Sequence, residues 1–160
     1  MGAFFKGLKR VEVGLLTLLM LAMVAVAFMQ VIFRIVLKSP IAWSEEFSRY
    51  VFIWIVFIGG AWAVSKDGHF RMDFLLSITK GTIKKILMGL SYICMLIFAG
   101  LLVVYGTRLV NSVMTQTSPA LHISMSIPYA ALPVSGVLII LHTIELLWTN
   151  QQSKTVNEEG

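Results

Sequence analysis

Four long apolar runs dominate this sequence: Val11 to Leu37, about Ile41 to Val64, Ile86 to Tyr105 and Ile127 to Trp148. Each approaches or exceeds the roughly 20 residues that an α-helix needs to cross a bilayer. None shows the period-2 alternation and short turns of a membrane β-barrel, so helices are the arrangement that satisfies every backbone polar group inside lipid. The expected fold is an all-α membrane protein with four transmembrane helices. Residues 1–148 form the membrane domain, and 149–160 a polar, mobile tail. With 58% of 160 residues hydrophobic and 13% charged, little remains for a soluble domain.

The charges read as topology. With four spans both termini lie on one side, where Lys6, Lys9, Arg10, Lys66, Arg71, Lys80, Lys84, Lys85 and Lys154 make nine of the 13 basic residues. Arg34, Lys38, Arg49 and Arg108 fall on the other side. The excess of Lys and Arg puts both termini in the cytoplasm, and the connections near 38–44 and 109–126 then face the periplasm of a bacterial inner membrane. The net charge of +5 is not gathered into a basic stripe with interleaved aromatics, so nucleic acid is not expected as a partner. The single cysteine, Cys94, excludes an internal disulfide and a Cys-rich metal site. Ala25-Val26-Ala27 is an imperfect signal-cleavage pattern, but the apolar run continues through Phe28, Val31, Ile32 and Phe33, which favours a retained anchor.

Helix two has the strongest start signal, with Ser39 as N-cap and Pro40 at the first helical position. Trp43 and Trp62 are separated along its axis by roughly 28 Å, close to the hydrocarbon thickness, as expected of residues at opposite interfaces. Arg49 projects between Glu45 and Glu46 at i+4 and i+3, and lies about 9 Å below Trp43, where an unpaired charge is costly. Arg34, near the outer end of helix one, is placed to neighbour Glu46. Two readings fit Arg34, Glu45, Glu46 and Arg49: a proton or ion relay, or a structural ion-pair cluster locking helices one and two. Since no carboxylate lies at mid-membrane, the structural reading is preferred. Val56, Gly59, Gly60 and Ala63 continue the charged face, where small residues permit close helix approach, so this face is expected to pack against protein. Trp43, Phe47, Tyr50, Trp54 and Ile58 gather on the opposite face, expected to meet lipid or a larger apolar partner.

His69, Arg71 and Asp73 alternate with apolar residues after helix two. One imidazole with an arginine beside it makes a poor metal site, so no metal is expected. The segment reads as an extended cytoplasmic turn, with Asp73 capping a short interfacial amphipathic helix between spans two and three that bears Phe74, Leu75 and Ile78. Lys80, Lys84 and Lys85 then meet anionic headgroups. His142 and Glu145 share a face of helix four at i, i+3, and are read as interhelical hydrogen-bonding groups or as exposed at the interface. Glu12 and Gln30 are placed at the interfaces of span one. Pro128 and Pro133 set the start and bend of helix four. No catalytic motif is present: there is no G-x-S-x-G, no H-E-x-x-H and no phosphate-cradling glycine loop, so neither an enzyme nor a cofactor is expected.

Three blocks carry a family resemblance: WSEEFSRYVFIWIVFIGGAWAV in helix two, the following KDGHFRMD, and QTSPALHISMSIPYAALPVSG leading into helix four. In order, spacing and membrane placement they resemble the small membrane subunit of tripartite ATP-independent periplasmic (TRAP) transporters, over about residues 5–148. The resemblance implies a non-catalytic subunit that does not transport alone. In that family a large membrane subunit holds the substrate and sodium sites and moves as an elevator, a periplasmic substrate-binding protein captures an organic acid, and the small subunit braces the large one. Sialic acids and C4-dicarboxylates are among the acids carried. The family pattern places Trp43, Glu46 and Arg49 on the outer part of helix two, with Gly59 and Gly60 lower down. His69 and Asp73 fall in the turn, and Pro119, Tyr129 and Pro133 in the last block. Membrane lipids complete the expected partners. The rival readings are a self-sufficient small exporter working as a homodimer, which would need an embedded acid near the bilayer centre, and an intramembrane enzyme, which would need a convergent polar constellation.

Overall fold

A computed structural model describes the backbone of residues 2–38, 41–78 and 82–158, and the side chains of 4–38, 41–66 and 86–148. The helices are α1 (Gly2–Val36), α2 (Ala42–Ile78), α3 (Thr82–Val113), the short α4 (Ser126–Tyr129) and α5 (Ala131–Glu158). Four stretches are long and apolar enough to cross a membrane: Phe4–Val36, Ala42–Lys66, Ile86–Ser112 and Ser126–Trp148. The fourth runs through α4 into α5. At Pro133 the ring nitrogen cannot donate back along the helix, and the chain is joined across the break by Ala130 N–H to Ser126 O (2.9 Å) and Val134 N–H to Ala130 O (3.2 Å).

One expectation is corrected. The segment holding His69, Arg71 and Asp73 is not an extended turn leading to a separate interfacial helix: α2 runs unbroken through it to Ile78. Only Gly68 interrupts the helix-forming residues there, and once a helix is nucleated each further residue adds one hydrogen bond at small cost. The polar residues after Trp148 likewise continue α5 as helix to Glu158. The side chains of His69, Arg71 and Asp73, and the expected Ser39 and Pro40 cap, lie outside the described residues.

Helix α5 is the centre of the bundle and packs on both α2 and α3, whereas α1 lies along α2. The core joins α2, α3 and α5 through Ala61, Ala99 and Ile139, with Val64, Met95, Leu102, Leu138 and Ile140 around them. Small residues make this possible, because van der Waals packing between helices in lipid gains most when backbones approach closely. A Cβ on Gly136 would lie 2.9 Å from Ala99 O, and one on Gly106 would lie 2.8 Å from Pro133 Cδ.

The buried stripe of α2 is Ser44, Val51, Ile58 and Ala61, recurring at helical spacing. Ile58, expected to face outward, is 2% exposed and is the largest fully buried side chain of the described residues. Glu45, Arg49, Phe52, Val56 and Gly60 point outward instead. A Cβ on Gly60 would meet nothing within 4 Å, and one on Gly59 would meet only Leu16 Cδ2 at 3.9 Å, so neither glycine is required by packing inside this chain. The bundle takes up one face of α2 and leaves the charged, glycine-bearing face free.

Candidate functional site

Polar chemistry collects at the two ends of the bundle. At the end opposite the termini, α3 is followed by a hairpin closed by a bridge between Thr117 and Ser124. Ser118 N–H donates to Ile123 O (2.8 Å), Met125 N–H to Gln116 O (2.9 Å) and His122 N–H to Ser118 O (3.2 Å). His122 takes the left-handed backbone (φ 53°) that lets the chain reverse. Ser124 Oγ donates to Met114 O (2.9 Å) and lies 2.8 Å from Ser126 Oγ, which ties the hairpin to the start of α4.

The tip of this hairpin rests on Glu46. Ala120 N–H and Leu121 N–H both donate to Glu46 Oε2, at 2.9 and 3.0 Å, and Tyr50 Oη–H donates to Oε1. The peptide groups of a tight turn have no ladder partner, and a carboxylate supplies charge-assisted acceptors for two of them at once. A cleft of about 340 Å³ opens beside this contact, lined among others by Glu45, Glu46, Arg49, Tyr50, Pro119 and Tyr129. Helix α2, the hairpin and α4 thus bring Glu46, Arg49, Pro119 and Tyr129 to one place. Trp43 stands outside the cleft, edge-on to Phe47 at 6.3 Å, and Pro133 packs over Gly106.

The expected ion-pair cluster takes a different form. Among the described residues no ion pair joins Arg34 or Arg49 to Glu45 or Glu46. The physical reason is that the hairpin and Tyr50 occupy both oxygens of Glu46, while Arg34, Glu45 and Arg49 are exposed on outward faces. Nothing in the sequence announces this contact, because the partners of Glu46 are backbone groups 74 and 75 residues away.

The second cluster lies at the end carrying both termini, between α1 and α5. His142 Nε2 is 2.9 and 3.0 Å from the two oxygens of Glu12, and Lys9 Nζ donates to Glu145 Oε1 at 2.8 Å. His142 Nδ1 is 3.6 Å from Glu145 Oε2. His142 is 0% exposed and Glu12 3%. The interhelical role read for His142 and Glu145 is what the geometry gives, but Glu12 is a buried member of the cluster and not an interfacial side chain. A signal for it exists in the sequence: Lys9 and Glu12 on one helix, and His142 and Glu145 on the other, repeat the same i, i+3 spacing near the same membrane face. Among the described residues no three His, Cys, Asp or Glu side chains converge as a metal site.

Between the ends the described residues offer an apolar groove of about 530 Å³, lined by residues such as Val64, Leu90, Met95 and Phe98. A four-span bundle whose ionisable groups sit at its ends, around an apolar middle, has the form of a membrane subunit of a larger assembly. The chain belongs to the tripartite ATP-independent periplasmic transporters, DctQ component, whose family profile matches residues 23–153. It is thus a TRAP small permease subunit of the bacterial inner membrane, a class of subunit that partners with a large membrane subunit. A putative TRAP transporter small permease protein of Haemophilus influenzae is 32% identical over 121 residues, covering 75% of this chain and 73% of that protein. The C4-dicarboxylate TRAP transporter small permease protein DctQ of Vibrio cholerae is 24% identical over 162 residues, covering 86% and 70%. The sialic acid TRAP transporter permease protein SiaT of Haemophilus influenzae is 28% identical over 156 residues. That match covers 95% of this chain but 24% of SiaT, so the similar region is one part of a much longer permease.

Proposed function

We propose that this chain is the stationary brace of a sodium-coupled TRAP importer of an organic acid, either a sialic acid or a C4-dicarboxylate. It enlarges the membrane footprint of the large elevator-type subunit and carries no substrate itself. The observation that carries this reading is the division of the molecule: each ionisable cluster ties together elements of this chain, while the face of α2 bearing Glu45, Arg49, Val56 and Gly60 is left outward. That face, with Trp43, Gly59 and Ala63 at its margins, is the surface for the large subunit, because exposed charge at interface depth and small residues below it suit a protein neighbour. Lipid covers the remaining apolar surface.

Both termini are cytoplasmic in this reading, and the hairpin is periplasmic. Its tip and the neighbouring cleft then form part of the docking surface for the substrate-binding protein. His69, Arg71 and Asp73, in the extension of α2, face the cytoplasm.

The test is uptake by cells or proteoliposomes holding the large subunit and binding protein, with and without this chain. Loss of uptake without it, together with co-purification with the large subunit, is expected. Substrate flux driven by the purified chain alone overturns the reading in favour of a self-sufficient carrier. Competition of uptake by sialic acids against C4-dicarboxylates decides the acid.

A further inference from the structure

The outward face of α2 carries a charge that no described residue of this chain neutralises. Arg49 lies seven residues inside the span that begins at Ala42, about 10 Å along the axis, and is exposed there. Two carboxylates of its own helix stand at pairing distance in sequence, Glu45 four residues before it and Glu46 three. Neither takes it. Both oxygens of Glu46 are occupied, by Tyr50 Oη–H and by the N–H groups of Ala120 and Leu121, and Glu45 forms no ion pair among the described residues. An arginine cannot shed its proton, so at this depth its charge either meets an anion from outside the chain or reaches back to the lipid headgroups.

The surroundings favour a protein anion over a lipid phosphate. Glu45 and Arg49 share one outward stripe with Val56 and Gly60, recurring at helical spacing, so a single straight element can follow all four. A Cβ on Gly60 would meet nothing within 4 Å, so the open space at the lower end of the stripe serves no packing inside this chain. A lipid tail adapts to any surface and has no need of a glycine; a neighbouring helix backbone gains by the close approach. At the upper end the cleft of about 340 Å³ has Arg49 in its lining beside Tyr50 and Tyr129, and the bonds from the hairpin tip to Glu46 hold two of its walls together. A guanidinium in such a wall can grip a carboxylate with two parallel hydrogen bonds. Glu45, one turn above, would repel a partner that brought an acid alone, so the matching surface carries a base at that level.

We infer that Arg49 is the receptor for a carboxylate side chain of the large membrane subunit, carried on an α-helix that follows the α2 stripe and sets a basic residue opposite Glu45. The inference rests on the reading that the outward face of α2 meets the large subunit. The hairpin, by occupying Glu46, is then what keeps Arg49 available to that partner.

The test uses the complex purified through a tag on the large subunit. Arg49→Lys keeps the cation and supplies an amine, which zero-length carbodiimide joins to any carboxylate it touches, and peptide mass spectrometry names the acid. Coupling to one Asp or Glu of the large subunit is expected. Arg49→Glu is expected to lower co-purification on the order of ten-fold, and replacing the coupled acid by lysine to restore it. Arg49→Gln, which adds no repulsion, is expected to give a smaller loss. Coupling only to Glu45 or Glu46, or to the substrate-binding protein, overturns the inference, as does co-purification unmoved by Arg49→Glu. Native mass spectrometry showing a phospholipid that the unaltered complex retains and Arg49→Gln releases, with no coupling to the large subunit, overturns it in favour of a headgroup phosphate. If the unaltered chain itself fails to co-purify, the bracing reading falls and the inference with it; if it co-purifies and the amine finds no acid of the large subunit, the inference alone falls.

Discussion

At the hairpin end a carboxylate is satisfied by peptide N–H groups and a nearby tyrosine; at the termini end a carboxylate is satisfied by an imidazole on another helix. The two acids, Glu46 and Glu12, look alike in the sequence, each near the edge of an apolar run with a basic residue three positions away. Their surroundings make them different devices. Glu46 fixes a loop whose release leaves the helices standing, since the hairpin's own bonds between residues 116 and 125 remain. Glu12 joins two helices directly, and removing it strands a buried imidazole. One end is built to shape a surface, and the other to hold the scaffold.

The sharpest way to break this comparison is Glu12→Ala. Removing one partner of a buried hydrogen bond leaves the other unsatisfied, at a cost on the order of 3 kcal/mol, so the thermal unfolding midpoint in detergent should fall, and spin-label distances between the first turns of α1 and the part of α5 beyond His142 should broaden. If the loss is no larger than for a surface residue, the termini end is not the structural anchor. Gly136→Ala probes the seam between the ends. With Ala99 O 2.9 Å from the added methyl, overpacking should cost about 1–3 kcal/mol, read as a lower unfolding midpoint with α1 still docked.

Glu46→Gln should leave global unfolding nearly unchanged but speed amide exchange at Ala120 and Leu121 on the order of ten-fold, because a neutral amide oxygen is the weaker acceptor. Equal effects on global stability at Glu12 and Glu46 would erase the distinction. The smallest effect on the isolated chain is expected for Gly60→Ala, within about 0.5 kcal/mol, since nothing meets a Cβ there. Its consequence should appear instead as reduced co-purification with the large subunit.

Hydropathy alone made the four spans legible, because bilayer thickness and backbone satisfaction leave an apolar run of this length few alternatives. The prolines at 128 and 133 correctly marked the start and break of the fourth span. What hydropathy could not show was which side of each helix meets its neighbour. Around α2 both faces are apolar enough for lipid, and that Ile58 is buried while Val56 is exposed depends on which helices pack against α2. The continuous α2 was hidden for a related reason: Gly68 and alternating charges read as a turn, yet outside the bilayer water tolerates a polar helix as well as a loop. At the candidate site, Glu46, Arg49, Pro119 and Tyr129 stood out through family resemblance, but the bond from Glu46 to the hairpin backbone leaves no side-chain signature. The histidine cluster was half visible, with His142 and Glu145 paired by spacing and their partner on α1 found only by the fold.

The unbroken course of α2 has a mechanical corollary. From Lys66 to Ile78 the rod continues roughly 18 Å past its membrane-crossing part, at about 1.5 Å per residue. Without a joint, a lean of about 10° in the bilayer, well inside the range that such helices adopt, swings its far tip by roughly 3 Å. A jointless extension carries any lean of the span to its far tip as sideways travel, as a mast registers the roll of a hull.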